Sequence, residues 1–306
     1  MDAMTRSRHQ STHRRGCTGW LVSVCLLSFL LSPSAFAQDR PQLLYLRAVD
    51  GTGAPVLDLT RAEVIVQQGN AACEIVTVQA ETRGMKVALL VGNGANAESN
   101  PLRDGLNAFL DTLPPEHEVG VFTIVGQVVM RMDFTADRAQ LKDDVSNLFV
   151  SRIMGTKMME GLVETWRRRF DQDDAWPVFV LVLHDGPDVS PDVLDGQFNP
   201  LLTELVLRGA TVHAVVVSPI GVGQQTALSL NATERTGGTH TPISAPTALA
   251  DNLSDLAETM TRHYSTFQNS HRVVFECPAD AAGGETGVGV TRPGVTFTAS
   301  GDRRVP

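Results

Sequence analysis

Four stretches of the chain are apolar at almost every position: residues 86–91 (KVALLV), 118–125 (EVGVFTIV), 177–183 (PVFVLVL) and 211–217 (TVHAVVV). Runs this short and this continuous are expected of strands buried on both faces. Between them the apolar positions recur three and four apart. Leu102, Leu106, Phe109, Leu110 and Leu113 share one helical face, and Pro114-Pro115 ends it. Helices are also predicted over 138–149, 158–170, 193–208, 224–236 and 245–264, with Gly209 as a stop signal after the third of these. Residues 128–134 read as a short strand that turns back. Buried strands alternating with amphipathic helices predict a doubly wound α/β domain on a mainly parallel sheet. In such a sheet a ligand sits at the carboxyl ends of the strands. That directs attention to the loops 92–99, 126, 154–156 and 184–190.

The two ends of the chain have a different rhythm. Residues 42–49, 63–66 and 74–79 form short strand-like runs separated by polar turns, with no helix between them. Strand character returns at 271–276, 285–290 and 295–299. The terminal strands are expected to join into one small sheet. The organisation is then a β unit from 38–84, a central α/β domain from 85–265 and closing strands in 266–306. Cys73 lies in the first group and Cys277 follows a strand of the last. A disulfide between them would close a loop around the whole central domain; two separate buried thiols are the alternative.

The first 37 residues stand apart from both patterns. Arg6, Arg8, Arg14 and Arg15 precede an apolar run from Trp20 to Leu31, and Ser34-Ala35-Phe36-Ala37 supplies small residues for cleavage. This reads as a secretory signal cut after Ala37, giving a periplasmic or secreted protein. An uncleaved anchor is the competing reading, but the run is shorter than the ~20 residues of a spanning helix. Lipidation at Cys25 fits poorly, because that residue lies inside the apolar run. Of 25 basic and 34 acidic residues, the segment takes four Arg and one Asp, leaving 21 against 33, or −12. Such a balance disfavours nucleic acid and anionic membrane as partners. No second long apolar segment suggests membrane insertion of the mature chain.

Candidate chemistry is sparse. The segment Gly92-Asn93-Gly94-Ala95-Asn96-Ala97 fits the G-x-G-x-x-A form of a dinucleotide loop, following a strand and preceding a helix. The next strand, however, ends in Gly126-Gln127, without the acidic residue that would bind a ribose. The chain has no G-x-S-x-G, H-E-x-x-H or P-loop motif. His184 and Asp185 are neighbours, and neighbours on a strand point to opposite faces. No catalytic residue is expected.

The order of strands, helices and loops over residues 85–265, with Gly155-Thr156 and His184-Asp185-Gly186 in two of the loops, resembles a von Willebrand factor type A domain. The segment from Asp50 to Gly69 (DGTGAPVLDLTRAEVIVQQG) and the closing Arg292-Pro293-Gly294-Val295 resemble the exported bacterial proteins related to that family. The resemblance implies protein or surface-ligand binding and a metal-ion-dependent adhesion site. Such a site takes an aspartate and two serines from the first loop, a threonine from a later loop and an aspartate after the fourth strand. Gly92, Gly94 and Asn96 stand at the first three positions, Thr156 at the fourth and Asp185 at the fifth. Asn96, Thr156 and Asp185 would leave at most three oxygens and one charge, a poor set for Mg²⁺. No cofactor is therefore expected, with Mg²⁺ or Mn²⁺ on a rebuilt site as the alternative. Glu98 and Asp188 are the nearby carboxylates available for such rebuilding. The contact surface for a protein or cell-envelope ligand is expected around Asn93, Asn96, Thr156, His184 and Asp185. A plain structural reading of Asp185-Gly186 is a turn in which the carboxylate accepts backbone N–H groups.

Overall fold

The computed structural model describes residues 41–170, 175–191, 195–219, 223–281 and 284–301. The signal segment and its cleavage point after Ala37 lie outside them. In chain order the elements are β1 (Pro41–Val49), β2 (Val64–Gln68), β3 (Ala71–Ala72), β4 (Glu74–Ala80), β5 (Met85–Val91), α1 (Ser99–Thr112), β6 (Glu118–Val125), β7 (Gln127–Thr135), α2 (Arg138–Ser146) and α3 (Met158–Arg169). They continue with β8 (Trp176–His184), α4 (Asp195–Leu207), β9 (Thr211–Val217), α5 (Gln224–Thr236), β10 (His240–Ile243), α6 (Leu249–Phe267), β11 (His271–Glu276), β12 (Thr286–Val290) and β13 (Thr296–Ser300).

The central sheet has six strands in the order β10-β9-β8-β5-β6-β7, parallel except for β7. Every residue of β8 and β9 is buried, which is why those runs lack polar alternation. Val87, Leu89 and Val91 of β5 join a core with α1, α2 and α6, while Ala88 and Leu90 join a second core with α3, α4 and α5. The fold is thus doubly wound α/β. The edge strand β10 escapes the sequence pattern. It has four residues (HTPI), only one of them buried, and Pro242 is tolerated because an edge strand has an unpaired side. Among the described residues no helix is long and apolar enough to cross a membrane.

The chain ends do not form one sheet, as the terminal strands suggested. They form two: β13-β1-β11-β4 and β12-β2-β3. Leu44, Leu46 and Ala48 of β1, with Val273 and Phe275 of β11, meet Val64 and Val66 of β2 and Val288 and Val290 of β12 in one apolar layer. Alternation along a strand reveals that one face is covered, not whether a second sheet covers it. Cys73 and Cys277 are disulfide-bonded at the end of the β4–β11 pair, across 204 residues of sequence.

Two arginines explain how the ends are held. Arg292 places its guanidinium on both carboxylate oxygens of Glu63, at 2.6 and 2.8 Å, and also on Asp58. The Asp50–Gly69 segment and the Arg292–Val295 turn are therefore two halves of one clamp. Arg272 lies on the opposite side of β11 from the sandwich core. It donates to Glu81 at 3.1 Å and to the Leu207 carbonyl at 2.6 Å, capping the carboxyl end of α4. Tyr45, its partner in the β1–β11 register, packs edge-on to Phe267 of α6 at 5.4 Å.

Candidate functional site

From β5 the chain turns to β6 on one side, while β8 lies on the other, so the carboxyl ends of β5 and β8 flank the crevice where such sheets bind ligands. Three loops converge there: 92–98 after β5, 147–157 before α3, and 185–190 after β8. The first two are laced by their backbones. Ser151 N donates to Asn93 O at 2.7 Å and Ala95 N to Ile153 O at 3.0 Å. The Asn93 side chain donates to Phe149 O at 2.7 Å. Gly155, at φ 84°, turns the chain so that Thr156 goes inward; a Cβ there would lie 2.6 Å from Val189.

The sequence-expected residues all come to this crevice, in different roles. Thr156 is buried, and its backbone is tied to the third loop through Pro187 O and Val189 N. A Cβ built on Gly92 would stand 3.4 Å from Thr156 Oγ1, so those two positions face each other. Asn96 is exposed and reaches Asp185 O at 3.4 Å. His184 is buried and turns toward the first loop, its Nδ1–H donating to Gly92 O at 3.3 Å. Burial lowers its pKa against the raising influence of the Gly92 carbonyl and Glu98, which makes it a neutral imidazole.

Asp185 points the other way. Its Oδ1 accepts Gly186 N at 3.0 Å, and its Oδ2 accepts Ser218 Oγ at 2.8 Å and Gly223 N at 2.9 Å, at the start of α5. Burial pushes the Asp185 carboxyl up. The Ser218 hydroxyl, the two amides and Thr226 outweigh it and leave the group below its ordinary value. Asp188 is equally committed. Its Oδ2 accepts Met158 N at 2.8 Å at the start of α3, and its Oδ1 accepts Ser190 N at 2.9 Å. Ser190 Oγ in turn accepts Glu160 N at 3.0 Å. These bonds satisfy orphan amides at two helix N-termini. Glu98 is exposed at the start of α1 and makes no side-chain cap there.

Sequence reasoning missed Gln225, Ser190 and Ser218. Gln225 is fully buried and donates its side-chain amide to Thr156 O at 3.2 Å and Pro187 O at 3.1 Å. Only the spacing Asp188-x-Ser190 resembles a helix cap in the sequence, and it caps a helix thirty residues upstream. Also unforeseen is the apolar rim. Phe149, Ile153, Met154 and Val189 are 73, 51, 60 and 43% exposed, and all four lie on the two loops that flank the crevice.

No family model matches the sequence, and no curated protein matches it. Solved structures with a similar fold include a von Willebrand factor type A protein from Catenulispora acidiphila, at 14% identity and TM-score 0.47, over 72% of this chain and 50% of that one. Another is the conserved hypothetical protein BatB from Bacteroides thetaiotaomicron, at 14% and 0.44, over 59% of this chain and 99% of that one. A third is the vWF domain of the type V pili tip protein Mfa5 from Porphyromonas gingivalis, at 12% and 0.44, over 62% and 98%. The chain thus spans half the length of the Catenulispora protein. At these identities the likeness is one of fold.

Proposed function

We propose that this is an exported, non-catalytic binding module that engages a protein or cell-envelope ligand through the three crevice loops, without a bound metal. The observation that carries this reading is the state of the carboxylates. Asp185 and Asp188 spend their oxygens on the amides and hydroxyl that start α3 and α5 and hold the third loop. Gly92 and Gly94 supply no side-chain oxygen. What remains is the Asn96 carbonyl oxygen and the Thr156 hydroxyl, with Glu98, exposed at the start of α1, as the one uncommitted carboxylate of the first loop. Mg²⁺ gives up its waters reluctantly and requires better. Catalysis has no support either: the neutral His184 and the ionised Asp185 face opposite sides of β8 and form no acid–base pair. A dinucleotide fits the first loop poorly, since Gly92 N, Ala95 N and Ala97 N donate to Val182 O, Ile153 O and Gly94 O and are not free to cradle a pyrophosphate.

The apolar rim gives the loops something to bind with. Exposed large side chains gathered around a crevice mark interaction sites. A second reading, a Mg²⁺- or Mn²⁺-dependent adhesion site, is favoured by one observation: a Cβ placed on Gly92 would lie 3.4 Å from Thr156 Oγ1, so the two positions face each other. One experiment separates the two. Immobilised protein and a Phe149→Ser/Met154→Ser variant are exposed to a cell-envelope extract, with chelator or with Mg²⁺. The proposed function expects one retained ligand in chelator that the variant loses. Retention only with Mg²⁺ favours the second reading, and retention indifferent to the variant contradicts the loop surface.

A further inference from the structure

An exposed sheet edge invites a further strand, and folded proteins blunt such edges with charge, proline, bulges or shortness. Among the described residues the three sheets end in β10 and β7, β13 and β4, and β12 and β3. On the central sheet, β10 carries Pro242, and β7 carries Arg131 and Asp133 beside two register shifts. In the sandwich, β3 has only two residues, β4 carries Glu74 and a register shift against β11, and β12 is interrupted by Gly287 and Gly289. The edge strand β13 (TFTAS) has none of these devices. Its apolar layer is also unfinished. Phe297 and Ala299 stand opposite Ala48 and Leu46, on the face that packs into the sandwich core. Leu46 and Ala48 are fully buried, whereas Phe297 is 37% exposed and Ala299 is exposed beside it. The second sheet covers β1 and stops short of β13.

We propose that β13 pairs antiparallel with β13 of a second copy of this chain, about a two-fold axis at Thr298, so that two four-stranded sheets become one continuous sheet. The strand is self-complementary in this register. Centring on Thr298 pairs it over its full length, and a two-fold axis perpendicular to the sheet keeps like faces together. Thr298 then meets its own counterpart. Phe297 meets the counterpart of Ala299 on the inner face and lies diagonal to the counterpart of Phe297, at about 7–8 Å. Hydroxyl pairs and aromatic pairs of this kind stabilise neighbouring strands. Phe297, left open in one copy, gains cover from both residues of the other. No charge of β13 opposes its own sign, because the strand carries none; self-pairing centred on Arg131 of β7 would set two guanidinium groups against each other. Two strands this short bury less than the roughly 1,200 Å² of a stable complex, so the dimer is weak and concentration-dependent. No crevice residue takes part, and the inference stands apart from the proposed function.

The test is sedimentation of the full protein, of Thr298→Asp, of Thr298→Lys and of an equimolar mixture of the two variants, after thermal melts confirm that they fold. Arg47 of β1 stands opposite position 298 within one copy, so Thr298→Asp gains a favourable neighbour there and loses one only across the axis. The wild type is expected to pass from monomer to dimer as its concentration rises to about a millimolar. Each variant alone should dimerise about fivefold more weakly, because like charges then meet on the axis, and the mixture should restore association. A Thr298→Cys variant should cross-link to itself under mild oxidation beyond the wild-type level, while Val129→Cys, at an exposed position of β7, should not. A wild type that stays monomeric throughout would overturn the pairing and leave β13 to a strand from another protein. A dimer that neither charge variant weakens, or cross-linking at Val129→Cys in preference to Thr298→Cys, would also overturn it.

Discussion

At the scale of single residues, the carboxylate that would be read as a ligand serves as a fastener. Asp185 holds Ser218 Oγ, Gly186 N and Gly223 N, and its approach to α5 leaves no room for a side chain at position 223. A Cβ there would fall 1.7 Å from Asp185 Oδ1. Gly223→Ala should therefore lower stability by about 1–3 kcal/mol through overpacking. Asp185→Ala should cost a similar ~1–3 kcal/mol, since it leaves three donors without their acceptor. Denaturant melts with both variants unchanged would refute the fastening role. Histidine makes a second statement at this scale. His213 on β9 is enclosed, and burial, with His263 nearby, holds its pKa down to about 3. Below its ordinary value of 6.5 the unfolded chain takes up a proton that the folded chain refuses. The stability so linked is complete above pH 6.5 and is lost as the pH falls from there toward 3. Melting temperatures should drop across that window, and His213→Gln should flatten the slope.

Secondary-structure elements were legible where burial is two-sided. β5, β6, β8 and β9 announce themselves because neither face meets water, so no polar alternation interrupts them. β10 does not, since four residues with a proline carry no periodic signal. The two-sheet sandwich was equally hidden: Leu44, Leu46 and Ala48 alternate in the same way whether their cover is a helix or a sheet. His184 and Asp185 could be placed from the end of a buried strand, whereas Thr156, which follows α2, is matched through the family resemblance. The roles of Asp188, Ser190 and Gln225 could not, because they depend on where the N-termini of α3 and α5 arrive in space. The disulfide belongs to this scale too. It joins the ends of β4 and β11 and closes a loop that spans the α/β domain. Breaking it releases chain entropy into the unfolded state. Reduction, or Cys73→Ser with Cys277→Ser, should cost roughly 2–5 kcal/mol. An unchanged denaturant midpoint under reducing conditions would contradict that.

For the molecule as a whole, a sandwich made from both chain ends is tied to a doubly wound domain by Arg272, Tyr45 and Phe267. The loops at the carboxyl edge of the sheet offer exposed apolar side chains, while their aspartates, Asp185 and Asp188, are held by helix-start amides. The central claim is that binding here needs no metal. Its most direct test is calorimetric titration of Mg²⁺ and Mn²⁺ into the chelator-stripped protein, with Gly92→Asp/Gly94→Ser/Asn96→Ser as a companion in which the missing oxygens are restored. The expected result is no heat of binding to the wild type up to about millimolar metal, the weak end of protein–cation affinities. Saturable binding to the wild type at about micromolar metal would contradict the claim and restore the metal-dependent reading.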